Sequence, residues 1–250
     1  MKKLNTYIQE KLVVVHKSYS CTPKTTMEIQ DILEERLEQD PDADLNDIDV
    51  SNITDMSNLF WGLDPHNIDI SEWDVSNVET MKNMFLNCEN FNSDLSLWDV
   101  SNVQDMSDIF NGCRKFNSDL SGWDVSNVED MSNMFAYCKN FNSELSNWDV
   151  SNVTEMSYIF CGCENFNSDI SGWDVSKVKN MSNAFCDCKK FDSDLGAWNV
   201  SNVETMDSMF WCCKQFNSDL SDWDVSKVKD MRSILWGCTN MKKFPTWWKK

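Results

Sequence analysis

A chain of 250 residues with 25 % charged and 41 % hydrophobic side chains is long enough for one large domain or two ordinary ones, and too apolar to be disordered by composition. Forty-one acidic against 22 basic side chains leave a net charge of −19. This excludes nucleic acid and anionic lipid as default partners, because both demand a Lys/Arg footprint.

The N-terminal stretch MKKLNTYIQEKLVVVHKSYSC opens on two lysines but has no uninterrupted apolar run; Leu12–Val15 is too short. No export signal is therefore expected, and lipid attachment at Cys21 is disfavoured by His16 and Lys17 just upstream. No segment approaches the ~20 apolar residues of a membrane span, so no membrane insertion is expected. Leu12–Val15 reads as a short strand. Thr25 and Glu28 form a capping-box pair that opens a helix over 25–39, with Ile29, Ile32, Leu33 and Leu37 on one face. Pro41 and the Asp-rich stretch 40–47 end it. Residues 1–47 are thus expected to form an N-terminal cap on the remainder of the chain.

From residue 48 the chain repeats itself. Trp73, Trp98, Trp123, Trp148, Trp173, Trp198 and Trp223 are each 25 residues apart, Trp248 continues the count, and Ile48 takes the first such slot. Eight units fill 48–247 without insertion or deletion, leaving 248–250 as a tail. Within one unit, Val128, Met131, Met134, Phe135 and Cys138 follow helical spacing, with Ser126 and Glu129 placed as a capping box. The following FNSELS alternates Phe141, Ser143 and Leu145 against Asn142 and Glu144, the period of a strand. The expectation is an α/β repeat: a leucine-rich-repeat-like right-handed solenoid of eight coils, with a parallel sheet on one face and short helices on the other. One coil alone offers about seven large apolar side chains at roughly 1.5–3 kcal/mol each when fully buried. Ordering its backbone costs about 1–2 kcal/mol per residue, so coils must cover one another.

The count also sorts the chemistry-bearing residues. Cys88, Cys113, Cys138, Cys163, Cys188, Cys213 and Cys238 share one slot and read as a buried column of free thiols. Cys161, Cys163, Cys186 and Cys188, with Cys212–Cys213, cluster across three coils, where thiol, disulfide and zinc ligation all remain open. Trp61, Trp211 and Trp236 share a variable slot with Leu86, Asn111, Ala136, Cys161 and Cys186, and are candidate contact residues. Two outward columns stand out: Asn92, Asn117, Asn142, Asn167, Asp192 and Asn217, and beside them Asp94, Asp119, Glu144, Asp169, Asp194 and Asp219. Carboxylate and amide oxygens at rung spacing form a candidate partner-binding face, or a row of calcium sites. Asp74, Asp99, Asp124, Asp149, Asp174 and Asp224, each after a Trp or its equivalent, are expected to bond turn amides. Nothing marks one coil as reactive, since polar residues are copied from coil to coil; no enzyme activity, cofactor or resident metal is expected.

The unit W-D-V-S-N-V-x-x-M-S-x-M-F-x-x-C-x-x-F-N-S-D-L-S closely resembles the 25-residue repeat of BspA-like leucine-rich-repeat surface proteins, a repeat also known as a domain of unknown function in mycoplasma lipoproteins. The resemblance covers 48–247 and implies a leucine-rich-repeat-like solenoid with an interaction role, often in adhesion at a bacterial surface. It brings no catalytic residues. The expected function is a non-catalytic binding module with a basic or polar protein partner, acting as a monomer. The alternative is a calcium- or zinc-dependent structural solenoid. Free-thiol usage points to the cytoplasm and the resemblance to the cell surface.

Overall fold

The computed structural model describes residues 18–248, so the expected strand at Leu12–Val15 lies outside the described residues. A single α-helix, α1 (Thr26–Gln39), opens on Thr25, whose hydroxyl accepts from the Glu28 amide at 3.2 Å. Glu28 in turn accepts from the Lys24 amide at 2.6 Å. Ile29 and Leu33 are fully buried against the first coils, and Ile32 and Leu37 pack beside them. The helix ends where the Asp40 amide bonds the Arg36 carbonyl.

Beyond α1 the architecture departs from expectation. Among the described residues there is no second helix, no strand and no sheet; the coils are built of turns joined by isolated parallel bridges. An α/β solenoid with helices on one face and a parallel sheet on the other is therefore not what this sequence forms. In the coil 123–147 the reason is visible in the hydrogen bonds. Met134, Ala136 and Cys138 donate their amides back three residues, to Met131, Asn133 and Phe135. The amides between them leave the coil: Met131 to Glu155 O (3.0 Å), Asn133 to Ser157 O (2.8 Å), Phe135 to Ile159 O (2.9 Å) and Tyr137 to Cys161 O (2.6 Å). Asn133 and Tyr137 stand at φ +55° and +61°. A left-handed residue at every fourth position cannot continue an α-helix. Tandem four-residue turns nonetheless place Met131, Met134, Phe135 and Cys138 on one side, with the spacing a helix would give.

The expected strand fails for a different reason. In FNSEL the Asn142 amide donates to Asn117 Oδ1 (2.7 Å), and in the coil before it the Leu120 amide donates to Ser143 Oγ (3.0 Å). Side chains thus take amides that a sheet would pair with backbone carbonyls. Each coil keeps one parallel bridge to the next, from Asp55↔Thr80 through to Thr205↔Asp230.

Stacking at a period of 25 residues builds the core. Trp148 lies 6.3 Å from Trp173 with planes 3° apart, and Phe135 is 4.0 Å from Phe141 in its own coil and 5.5 Å from Phe160 in the next. Each such Trp donates its indole N–H to a carbonyl 28 residues back, as Trp148 does to Leu120 (3.0 Å). The seven cysteines of the common slot are buried and free. Most of their thiols reach the preceding coil's Phe carbonyl, as Cys138 does at Phe110. Gly112 shows how tight the turns are: at φ +81° its missing Cβ would sit 2.4 Å from Asn87 Oδ1.

The last coil slips. The Trp248 amide bonds Pro245 O as the Trp223 amide bonds Leu220 O, so the backbone keeps count. Yet the indole stacked on Trp223, at 6.4 Å, belongs to Trp247, which donates to Leu220 O. Trp248 stacks instead on Phe244 at 4.5 Å.

Candidate interaction surface

The two outward columns lie side by side on one wall of the stack. Asn92, Asn117, Asn142, Asn167 and Asp192 are exposed, and Asn217 is half-buried; Asp94, Asp119, Glu144, Asp169, Asp194 and Asp219 are all exposed. Between them the serines at 93, 143, 168, 193 and 218 point inward and are buried.

The amide column is occupied by its own backbone. Each Oδ1 accepts the main-chain amide one coil on: Asn92 from Asn117 (2.8 Å), Asn117 from Asn142 (2.7 Å), Asn142 from Asn167 (2.7 Å), Asn167 from Asp192 (2.8 Å). Asp192 then accepts from Asn217 (2.9 Å) and Asn217 from Lys242 (2.8 Å). Only an acceptor oxygen is needed, which is why Asp serves at 192. That exchange of Asn for Asp was the sequence signal of the role.

The carboxylate column is half committed. Asp94, Asp119 and Asp169 each accept the backbone amide two residues on at 2.9–3.0 Å, as Asp194 does from Gly196 at 3.1 Å and Asp219 from Ser221 at 3.1 Å. These bonds hold the Asp119, Asp169 and Asp194 carboxyls below the ordinary carboxylate range. The Lys243 ammonium, with Ser221, takes Asp219 down to about 2. Bonding one oxygen to a turn amide leaves the other oxygen of Asp94, Asp119, Asp169 and Asp194 toward solvent, whereas that of Asp219 accepts from the Lys243 ammonium at 2.6 Å. Glu144, one methylene longer, makes no corresponding turn bond.

A second acidic column follows the Trp slot. Asp74, Asp99, Asp124, Asp149, Asp174 and Asp224 each accept the Ser amide two residues on at 3.0–3.1 Å, as expected for turn-closing aspartates. Hydroxyl and amide of that Ser lower the carboxyls of Asp99, Asp149, Asp174 and Asp224.

The other sequence candidates are scattered. Trp61 is 65 % exposed beside α1, where it borders a cavity of about 780 Å³ with Thr26, Met27 and Gln30. Trp211 and Trp236 stack at 5.4 Å near the opposite end. The structure thus does not bring the three tryptophans together. Cys161 is buried and Cys186 and Cys212 half-buried. A hydrogen bond to Cys161, which favours the neutral thiol, and then burial push Cys186 up. Burial is the main cause that raises Cys88 and Cys238 to about 12, which keeps the column neutral. Among the described residues no three His, Cys, Asp or Glu side chains converge as metal ligands would, and no helix is long and apolar enough to cross a membrane.

Comparison with known families gives one match. The model of a family described as "Mycoplasma protein of unknown function, DUF285" fits residues 29–148 and again 129–248, two tandem stretches of the repeat. Searches of curated proteins and of solved structures give no match.

Proposed function

The chain belongs to this mycoplasma repeat family, and we propose that it is a non-catalytic protein-interaction module whose carboxylate column, Asp94 to Asp219, engages a basic partner. The observation that carries this reading is the half-committed carboxylate. One oxygen fixes each of Asp94, Asp119, Asp169 and Asp194 to its own turn, so the other is held at a set position and costs little entropy to engage. Repetition makes many weak contacts cumulative along one wall. The resemblance to BspA-like surface proteins makes a partner at a bacterial surface, and an adhesive role, the first class to test.

The test uses isosteres. In the variant Asp94→Asn, Asp119→Asn, Asp169→Asn, Asp194→Asn the turn-closing oxygen is kept and the charge removed. A control variant, Asp31→Gln, Glu34→Gln, Glu35→Gln, Glu38→Gln on α1, changes net charge equally. Binding of a lysine-rich peptide at low salt is expected to weaken about ten-fold in the first and much less in the second, the gap closing as salt screens it. Equal loss in both would reduce the effect to net charge and remove the column as a site.

A further inference from the structure

Trp61, Trp211 and Trp236 occupy the same slot of their coils, but only two of them cover each other. Trp211 and Trp236 stack at 5.4 Å. Among the described residues the exposed Trp61 stacks on no ring, and its indole N–H has no acceptor. The buried tryptophans differ: each gives its N–H to a carbonyl 28 residues back, as Trp73 does to Leu45 (2.9 Å).

The open ring borders a cavity of about 780 Å³ between α1 and the first two coils. Met27 and Gln30 stand on the helix side, and Asp55, Asn58, Asn83 and Leu86 on the coil side. The polar groups are held in place before any ligand arrives. Gln30 Nε2 donates to Asn58 O (2.9 Å), Asn83 Nδ2 to Asn58 Oδ1 (3.0 Å) and the Ser57 amide to Asp55 Oδ1 (2.8 Å). Among the described residues these bonds leave Gln30 Oε1, Asn83 Oδ1, Asp55 Oδ2 and Asn58 Nδ2 without a partner. Asp55 is the one charged side chain in the lining.

We propose that this cavity is a binding site for a neutral sugar, whose ring lies with its C–H face on the Trp61 indole and its hydroxyls against Gln30, Asp55 and Asn83. Small-molecule sites are concave and mostly apolar, with a few polar groups that fix orientation, and measure about 300–1,000 Å³. A sugar ring matches both parts of this lining, being apolar on a face and rich in donors and acceptors around its edge. An aromatic or aliphatic peptide side chain would cover the indole but leave the unpartnered polar atoms dry, at a cost for each. An anionic ligand would meet Asp55 and a net charge of −19, with no cation in the lining to hold it. Because the amides and the carboxylate are already fixed, little entropy is lost when hydroxyls engage them. The site shares no residue with the carboxylate column, so each of the two is tested separately.

Saturation-transfer NMR of the full chain tests this, with lactose, maltotriose, cellotriose, mannotriose and N,N′-diacetylchitobiose as probes at about 10 mM each. At least one is expected to bind with a Kd of about 1 mM or below. Trp61→Ala removes the platform and is expected to weaken that sugar at least about ten-fold. Its melting curve is expected to be unchanged, because the ring is exposed. Asp55→Asn keeps an acceptor for the Ser57 amide and is expected to weaken the sugar about three-fold or more. Trp236→Ala, exposed in the same slot, is expected to change nothing. Silence from every probe, or equal binding by Trp61→Ala, would overturn the proposal. So would a neutral proline-rich peptide that shifts the Trp61 indole N–H signal when no sugar does, since the cavity would then be a peptide groove.

Discussion

Among the described residues, the stack has one closed end and one open end. At the N-terminal end, Thr26 Oγ1 donates to Asp55 O, a carbonyl with no preceding coil to serve it, and Gln30 Nε2 donates to Asn58 O (2.9 Å), which also takes the Trp61 amide. Upstream, Cys21 bridges Ile48, and Arg36 pairs with Asp47 at 2.9 Å. At the C-terminal end the amides of Met231, Ser233, Leu235 and Gly237 have no such cover. Because amides of the Met-to-Cys stretch donate to the next coil, that stretch leaves carbonyls at the first end and amides at the last. A helix with hydroxyl and amide donors on its inner face suits the first, and nothing among the described residues plays that part at the second.

The largest expected contrast lies in the apolar groups of the two ends. Leu33→Ala empties a fully buried site between α1 and the first coils and is expected to cost about 2–5 kcal/mol in chemical denaturation. Phe244→Ala, 43 % exposed at the open end, is expected to cost under about 1 kcal/mol. Equal losses would erase the distinction between the ends.

A smaller effect separates the middle of the stack from its open end. Asn142→Ala removes the acceptor of the Asn167 amide and is expected to cost about 1–2 kcal/mol, whereas Asn142→Asp keeps the oxygen and costs less. Asn217→Ala frees the Lys242 amide, which has ready access to water, and the loss there is expected to be smaller than at 142. Thermal melts of the three variants order them.

The smallest effect is in acid. Asp149 and Asp174, held below the ordinary range by Ser151 and Ser176, contribute stability that is fully present above their unfolded value of about 3.9. It is lost as pH falls through their lower folded values. Asp149→Asn with Asp174→Asn is expected to flatten that part of the pH–melting curve. Lys243→Met is expected to raise the NMR titration midpoint of Asp219 from about 2 while leaving the melting curve nearly unchanged, because both groups sit in water at the open end.

How much was legible in the sequence varies with the kind of signal. The helix at 26–39 announced itself through Thr25, Glu28 and the Ile29/Leu33 face, because capping and periodicity act within a few residues. The role of Asp124 and its counterparts was equally local, an aspartate closing on the amide two residues on. Met131, Met134, Phe135 and Cys138 misled, because tandem turns and a helix bury the same spacing. Asn133 is the residue that distinguishes them, at a position where φ is positive and Asn is favoured. Tyr158 and Ser208 occupy the same slot at φ +58° and +53°, against their own preference, so composition alone obscured it. The columns of Asn92 to Asn217 and Asp94 to Asp219 were found as outward rows. That the amide row had already spent its oxygens on neighbouring backbone left one trace in the sequence, Asp192 in a slot of asparagines, since those partners lie 25 residues away.

The sequence by itself determined the period, the identity of every slot and which side chains would lie inside, because a strict 25-residue count with apolar residues at fixed places leaves few other burials. The tertiary structure decided what the backbone does between those slots. Amides choose their acceptors only when a neighbouring coil is present. There, bonds to the next coil, to Asn Oδ1 and to Ser Oγ win over the i→i−4 ladder of a helix and the continuous ladder of a sheet.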